Sequence, residues 1–143
     1  MTQAEVKKIF RAYLPTKRAY EVAERSVKRA RTDLEGLRAI IDAEDVDGET
    51  GKALTEATEK YEACIENLAK KLFAYAEVME RTEKLLDLAS KDGATIIRLR
   101  WFEDVKFDFI PGMIYCDIST MYRRYQKALR DISEKSNSLK SCE

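Results

Sequence analysis

Apolar residues recur at steps of three and four along the first part of the chain. The first series is Val6, Ile9, Tyr13, Thr16, Tyr20, Ala23, Val27, Ala30, Leu34, Leu37 and Ile41. This heptad spacing places its members on one face and predicts a helix over residues 3–43. Pro15 lies inside the series and removes one helical hydrogen bond. We therefore expect either a kink there or a short first helix that ends near Tyr13.

A second series with the same spacing follows an acidic interruption. Residues 42–52 break the periodicity, contain two glycines and are predicted to form a loop. The second series is Leu54, Ala57, Tyr61, Cys64, Leu68, Lys71 or Leu72, Tyr75, Val78, Thr82, Leu85 and Ala89. It predicts a helix over about residues 52–90, and so an antiparallel hairpin arm over residues 1–91. The seam is rich in Ala, Tyr and Thr and is therefore thin. We expect a second copy of the chain or the C-terminal part to pack against the hairpin and stabilise it.

The last third of the chain predicts a module of shorter helices over residues 92–135. Gly93 is a candidate stop signal for the second long helix, and the Ser and Asp beside it are candidate caps for the next. The predicted parts are a helix over about 94–102, a connection at 103–106, a short helix with Phe107, Ile110 and Ile114 buried, a tight turn at 115–117, and a last helix from 118 to about 133. Asp117 is the predicted N-cap of that last helix. Residues 136–143 are small and polar and are expected to form a flexible tail.

The predicted fold class is therefore all-α, with a long coiled-coil-like antiparallel hairpin followed by a helix-turn-helix module. The composition agrees, because 36% of the residues are charged and only 5 are Gly and 2 are Pro. Such a composition is typical of long exposed helices. No stretch approaches the roughly 20 apolar residues that span a membrane, and the N-terminus has no apolar signal core. We predict a cytoplasmic protein without membrane contact.

The residues that usually carry chemistry are scarce. The chain has no histidine, which removes the commonest general base and metal ligand. Cys64, Cys116 and Cys142 lie far apart and match neither a disulfide framework nor a metal-binding spacing, so we expect free thiols, two of them partly buried. The acidic residues 42–52 lack the ligand pattern of a calcium loop. We predict a protein without catalytic residues, metal or cofactor.

Zero net charge conceals an uneven charge distribution. Residues 1–32 hold nine Lys or Arg against three acids, residues 33–92 hold eight against sixteen, and residues 93–143 hold nine against seven. Two interpretations of the basic first segment stay open. It contacts nucleic acid, or it pairs with the acidic segment that follows.

The last predicted helix carries the candidate binding residues. Its inward face would hold Met121, Tyr125, Ala128, Leu129 and Ile132 at helical spacing. From Ile118 to Arg130 there are four cations and no acid. Arg can bind guanine, Gln can bind adenine, hydroxyl groups can bind phosphates, and a helix N-terminus favours an anion. The alternative is a basic amphipathic helix with a solvated face, but together with the three-helix spacing the pattern favours DNA. The predicted DNA contacts are Ser119, Thr120, Tyr122, Arg123, Arg124, Gln126, Lys127 and Arg130.

The stretch from Arg98 to Ile132 resembles the helix-turn-helix of sigma-factor region 4. It is more closely similar to phage-encoded late transcription regulators of the ArpU and RinA type. The matching positions are Leu99-Arg100-Trp101-Phe102, Ile110, Ser119-Thr120-Met121-Tyr122-Arg123 and Ala128-Leu129. Two positions depart from that pattern. Pro111-Gly112 predicts a shortened or bent helix before the turn, and Tyr115-Cys116 stands where the turn usually has glycine.

The resemblance implies a phage or prophage transcription regulator in a bacterial host cell. Its helix 118–133 would lie in the major groove of promoter DNA, and its arm would form a homo-oligomer, with a dimer favoured, or contact RNA polymerase. A second hypothesis also stands. The chain would then be a non-catalytic coiled-coil adaptor, or a phage assembly or packaging protein, whose C-terminal module mediates protein contacts.

Overall fold

The part of the chain that the structure describes consists of helices joined by short connections. A computed structural model describes residues 1–43 and 48–141, which contain no β-strand. The helices are α1 (Gln3–Ala43), α2 (Gly48–Leu86), α3 (Lys91–Ile97), α4 (Ile110–Ile114) and α5 (Ile118–Ser141). A π-helical turn, Arg98–Phe102, continues α3, and a 3-10 turn, Phe107–Phe109, precedes α4. The predicted all-α class is confirmed, and no helix of the described residues is long and apolar enough to cross a membrane.

Helix α1 has the predicted bounds and passes through Pro15 without ending. The expectation of a short first helix ending near Tyr13 is therefore wrong. Proline removes the hydrogen bond to the carbonyl of Arg11 and costs about 3 kcal/mol in a helix interior. The apolar seam continues on both sides, with Tyr13 buried and Tyr20 half-buried. Tertiary packing of an amphipathic face supplies most helical stability in proteins, and here it holds the helix through the proline.

Helix α2 begins four residues earlier than predicted, at Gly48, and ends earlier, at Leu86. The predicted loop over residues 42–52 is therefore helical at both ends, and residues 44–47 lie outside the described part. Gly93 does not stop α2, contrary to expectation. The turn after Leu86 has already ended α2, and Ser90 caps α3 by accepting a hydrogen bond of 3.2 Å from the Gly93 N–H. Gly93 lies inside α3, where its lack of a side chain has a packing role.

The chain divides into two compact units. The discontinuous unit comprises Met1–Thr16 and Ala76–Glu143, and the hairpin unit comprises Lys17–Tyr75. The predicted arm–module boundary at residue 91 falls inside the discontinuous unit. Its core combines residues from both ends of the chain. That core consists of Val6, Phe10, Leu85, Leu86, Ile96, Ile97, Ile110, Met121, Tyr125, Ala128, Leu129 and Ile132.

The hairpin unit contains parts of α1 and α2 packed along the predicted heptad seam. Tyr20 and Tyr75 stack with ring centroids 5.5 Å apart, and Arg31 Nε donates a hydrogen bond of 3.4 Å to the Tyr61 hydroxyl. Among the described residues of this unit, every buried residue lies on α1. These residues are Ala23, Val27, Ala30 and Leu34. No residue of α2 from 48 to 75 is buried. The seam is thin, as its small and polar members predict.

Helix α5 is eight residues longer than predicted. Residues 136–141, which were predicted to form a flexible tail, are helical. Ser136 is buried, and both the Ser133 hydroxyl and the Asn137 side-chain amide donate to the carbonyl of Met1. Small polar residues are typical of a frayed end, but here the start of the chain provides them with hydrogen-bond partners. Cys142 and Glu143 lie outside the described residues.

Candidate nucleic-acid interface

Close packing against α3 orients helix α5. The predicted inward residues of α5 are all buried. A Cβ atom built on Gly93 of α3 would lie 2.5 Å from the Ala128 Cβ of α5, so only glycine permits this approach. Because the inward face is fixed in the core, the direction of the outward side chains is also fixed. The sequence therefore predicted the orientation of α5 correctly.

The turn before α5 is short and conformationally strained. Helix α4 has only five residues, with Pro111 in its first turn, in agreement with the shortening predicted from Pro111-Gly112. Tyr115 ends α4 in the left-handed conformation, at φ 56° and ψ 48°. That conformation costs a residue with a Cβ atom roughly 1–2 kcal/mol. The Tyr115 side chain is 95% exposed, so burial of the ring does not offset this cost.

Asp117 caps α5, as predicted. Its Oδ1 accepts a hydrogen bond of 2.7 Å from the Thr120 N–H. Hydrogen bonds from Thr120 hold the pKa of Asp117 below its ordinary value, and the charges of Arg123 and Arg124 add to this effect. A carboxylate therefore sits at the helix N-terminus, where the sequence suggested a phosphate. Anion binding by α5 must depend mainly on its side chains.

Six of the eight predicted DNA contacts form one exposed surface. We call this surface the basic face of α5, and it comprises Ser119, Tyr122, Arg123, Gln126, Lys127 and Arg130. Thr120 and Arg124 are half-buried, and Thr120 uses its N–H in the cap. The face presents three cations and no acid over about three helical turns. Its chemistry suits an extended polyanion.

An aromatic cluster lies directly beside the basic face of α5. The Phe107 ring centroid is 5.4 Å from that of Tyr122 and 5.0 Å from that of Tyr125. Trp101 Nε1 donates a hydrogen bond of 3.3 Å to the Tyr125 hydroxyl, and burial raises the pKa of Tyr125. This bond joins the π-helical turn to α5. The sequence did not predict the cluster, because spacing along the chain does not reveal contacts between separate helices.

Two arginines from different helices approach Trp101 in this cluster. Arg100 Cζ lies 4.4 Å and Arg11 Cζ 5.2 Å from the centroid of the Trp101 ring. Arg100 belongs to the stretch that resembles sigma region 4. Arg11 was not singled out, since it lies about ninety residues earlier. The fold brings the two together because α1 contributes Val6 and Phe10 to the same core.

Arg98, the remaining arginine of the π-helical turn, is engaged in an ion pair. Its two terminal nitrogens donate to the two carboxylate oxygens of Glu83 at 2.8 and 2.6 Å. This pairing raises the pKa of Arg98 and lowers that of Glu83. The pair ties the end of α2 to the turn. Arg98 therefore has a structural role.

Thiols and potential metal ligands are the other groups that could carry chemistry. Cys64 and Cys116 are free and half-buried, as predicted for two of the three thiols. Among residues 1–43 and 48–141, no group of three potential ligands could hold a metal ion. No family model, curated protein or solved structure matches this chain. The geometry and charge of the described residues therefore carry the functional argument.

Proposed function

We propose that this protein is a DNA-binding transcription regulator that reads duplex DNA through the basic face of α5. The observation that supports this proposal most strongly is the charge of the helix, since the residues from Ile118 to Arg130 include four cations and no acid. Three of those cations, Arg123, Lys127 and Arg130, are exposed. An α-helix fits the major groove, so an exposed cationic helix face is the expected shape of a DNA reader.

The roles of individual residues follow from their chemistry. Arg123 and Gln126 suit base edges, because guanidinium and amide groups make bidentate contacts with guanine and adenine. Ser119, Lys127 and Arg130 suit backbone phosphates. The buried inward face of α5 holds these side chains in a fixed direction, which lowers the entropic cost of ordering them on DNA.

The class of regulator follows from the resemblance to sigma region 4 and to ArpU-like and RinA-like proteins. On that basis we infer a phage or prophage regulator that acts on promoter DNA in the bacterial cytoplasm. The hairpin unit would then join two copies of the chain or contact RNA polymerase. A symmetric dimer would place two copies of α5 on half-sites about one helical turn of DNA apart.

One observation favours the second candidate function, a coiled-coil adaptor or phage assembly protein. In the hairpin unit, α2 leaves Phe73 74% exposed, and Ile65 and Leu72 are also exposed. Exposed apolar residues grouped on one helix are typical of surfaces that bind another protein. Under this interpretation the basic face of α5 is a solvated surface.

The deciding experiment is selection from random-sequence duplexes with the full-length protein at about 150 mM salt, followed by affinity measurements on the enriched duplex. We expect an enriched motif, and we expect Arg123→Ala to weaken binding to it by about 1–3 kcal/mol and relax its sequence preference. Arg38→Ala, an exposed arginine of α1 outside the basic segment 1–32, is the matched control and should bind as the wild type does. If the protein retains duplexes without enriching any motif, and modest salt abolishes that retention, the regulator is rejected and the adaptor is favoured.

A further inference from the structure

Two positive charges converge on one aromatic ring in the discontinuous unit. The guanidinium groups of Arg11 and Arg100 both lie within 5.2 Å of the Trp101 ring centroid. Cation–π attraction to the indole offsets part of their mutual repulsion. Trp101 is itself held in place by its hydrogen bond to Tyr125. The fold therefore holds two guanidinium groups against one fixed aromatic ring.

Acidic residues of the chain compensate these two charges only in part. Arg100 Nη1 lies 3.6 Å from Asp104 Oδ1, a long ion pair in which the Asp104 side chain is exposed and the Arg100 side chain is half-buried. Arg100 Nε is buried and has no hydrogen-bond partner among the described residues. Arg11 is exposed, and no carboxylate of the described residues forms an ion pair with it. The cluster is therefore short of hydrogen-bond acceptors and of negative charge.

The arginine pair is continuous with the basic face of α5. Arg100 Cζ lies 5.4 Å from the centroid of the Phe107 ring, and that ring is 5.4 Å from the Tyr122 ring of the basic face. Phe107 therefore lies against both Arg100 and Tyr122, one residue of the basic face. Guanidinium groups stacked on aromatic rings are pre-organised for bidentate binding of phosphate.

We propose that Arg11 and Arg100 form a second phosphate-binding site, which holds the DNA backbone beside the groove that α5 reads. This inference rests on the proposed function. The ligand is a backbone phosphodiester, because a continuous polyanion can occupy this site and the adjoining basic face at once. Asp104 would compete with the phosphate, since its carboxylate already neutralises part of the positive charge of Arg100.

The test compares four variants of the full-length protein on the selected duplex and on a scrambled duplex, over a range of salt. Arg11→Gln should weaken binding roughly three- to tenfold on both duplexes and lower the salt slope by about 0.9, as expected for one lost phosphate contact. Asp104→Asn should tighten binding on both, because the competing charge is removed. Asn also tolerates the left-handed φ of 58° at this position, so the variant should fold. Arg38→Gln is the matched neutralisation on the same helix, outside the basic segment 1–32, and Arg123→Ala reports on the basic face of α5.

The outcomes separate this inference from the proposed function. If Arg123→Ala weakens binding while Arg11→Gln and Asp104→Asn show the same affinity and salt slope as Arg38→Gln, the second site is wrong and the regulator stands. If the wild-type protein retains no duplex, both proposals fail. Thermal melting of each variant shows whether a loss comes from unfolding. If Arg11→Gln melts early, an unchanged affinity of Asp104→Asn would still reject the site.

Discussion

The hairpin unit and the discontinuous unit share one helical pattern but bury their residues to very different depths. In the discontinuous unit, Ile97, Met121 and Leu129 are fully buried, and α1, α2, α3 and α5 all contribute to the core. In the described part of the hairpin unit, the buried residues lie on α1 alone and include two alanines, Ala23 and Ala30. In a two-helix hairpin each helix buries only one stripe of its surface. In the discontinuous unit additional helices pack together and cover more of each other's surfaces.

This difference shows that heptad spacing predicts helices without predicting how well they are packed. Hydrophobic stabilisation is roughly proportional to the apolar area removed from water. We therefore expect the discontinuous unit to hold most of the stability of the chain. The hairpin unit, with its exposed Phe73, should open more readily, since regions with few buried contacts unfold locally at lower free energy.

The largest expected effect comes from removing a buried side chain. Ile97→Ala, in the core of the discontinuous unit, should lower the free energy of unfolding by about 2–5 kcal/mol, because it leaves a cavity. Leu72→Ala, on the exposed surface of α2, should change it by no more than about 0.5 kcal/mol. Urea unfolding followed by helical circular dichroism measures both. Equal effects would contradict the contrast in packing between the two units.

A pair of glycine substitutions should give effects of opposite sign. Gly93→Ala would force its Cβ against Ala128 and should destabilise the protein by about 1–3 kcal/mol. Gly36→Ala, in an open position within α1, should stabilise it by roughly 0.5–1 kcal/mol, since alanine is the better helix former. Thermal unfolding of the two variants against the wild type gives the comparison. A neutral Gly93→Ala would mean that α3 and α5 can separate without loss.

The smallest expected effect concerns the ion pair of Glu83 with Arg98. The hydrogen bonds from Arg98 lower the pKa of Glu83 from its ordinary value of 4.5. The stabilising effect of the pair is therefore complete above that value and disappears as the pH falls through the lowered pKa of the folded state. Both side chains are more than two-fifths exposed, so the effect at neutral pH should stay below about 1 kcal/mol.

Glu83→Gln should accordingly lower the free energy of unfolding slightly at neutral pH and leave it unchanged in strong acid. Urea midpoints at the two pH values measure the difference. Glu80→Gln is the matched control, because Glu80 pairs with Lys84 across a single exposed turn of α2. A Glu83→Gln effect that persists in strong acid would show that packing, and not charge, holds the end of α2 to the π-helical turn.

Local patterns predicted much of the fold and of the candidate interface. The bounds of α1, the Asp117 cap and the inward residues of α5 were all correct, because each depends on spacing within one helix. The outward residues of α5 followed from the same spacing. Whether they bind DNA stays a prediction, which neither the fold nor any related protein tests.

The sequence predictions failed where a contact with a distant part of the chain overrides a local sequence preference. Gly93 has the composition of a helix stop but is a packing residue, because Ala128 lies against it. Residues 136–141 have the composition of a loose tail but form helix, because Ser133 and Asn137 meet the carbonyl of Met1. In each case the partner is distant in sequence.

The sequence by itself determined the helices, their buried stripes and the cationic face of the last helix, since period and charge are properties of the chain alone. Tertiary structure decided how the two ends of the chain form one core. It also decided how Arg11 reaches Trp101 and Arg100. Packing between helices depends on the shape and volume of surfaces that meet only after folding, and no spacing along the chain records which surfaces will meet.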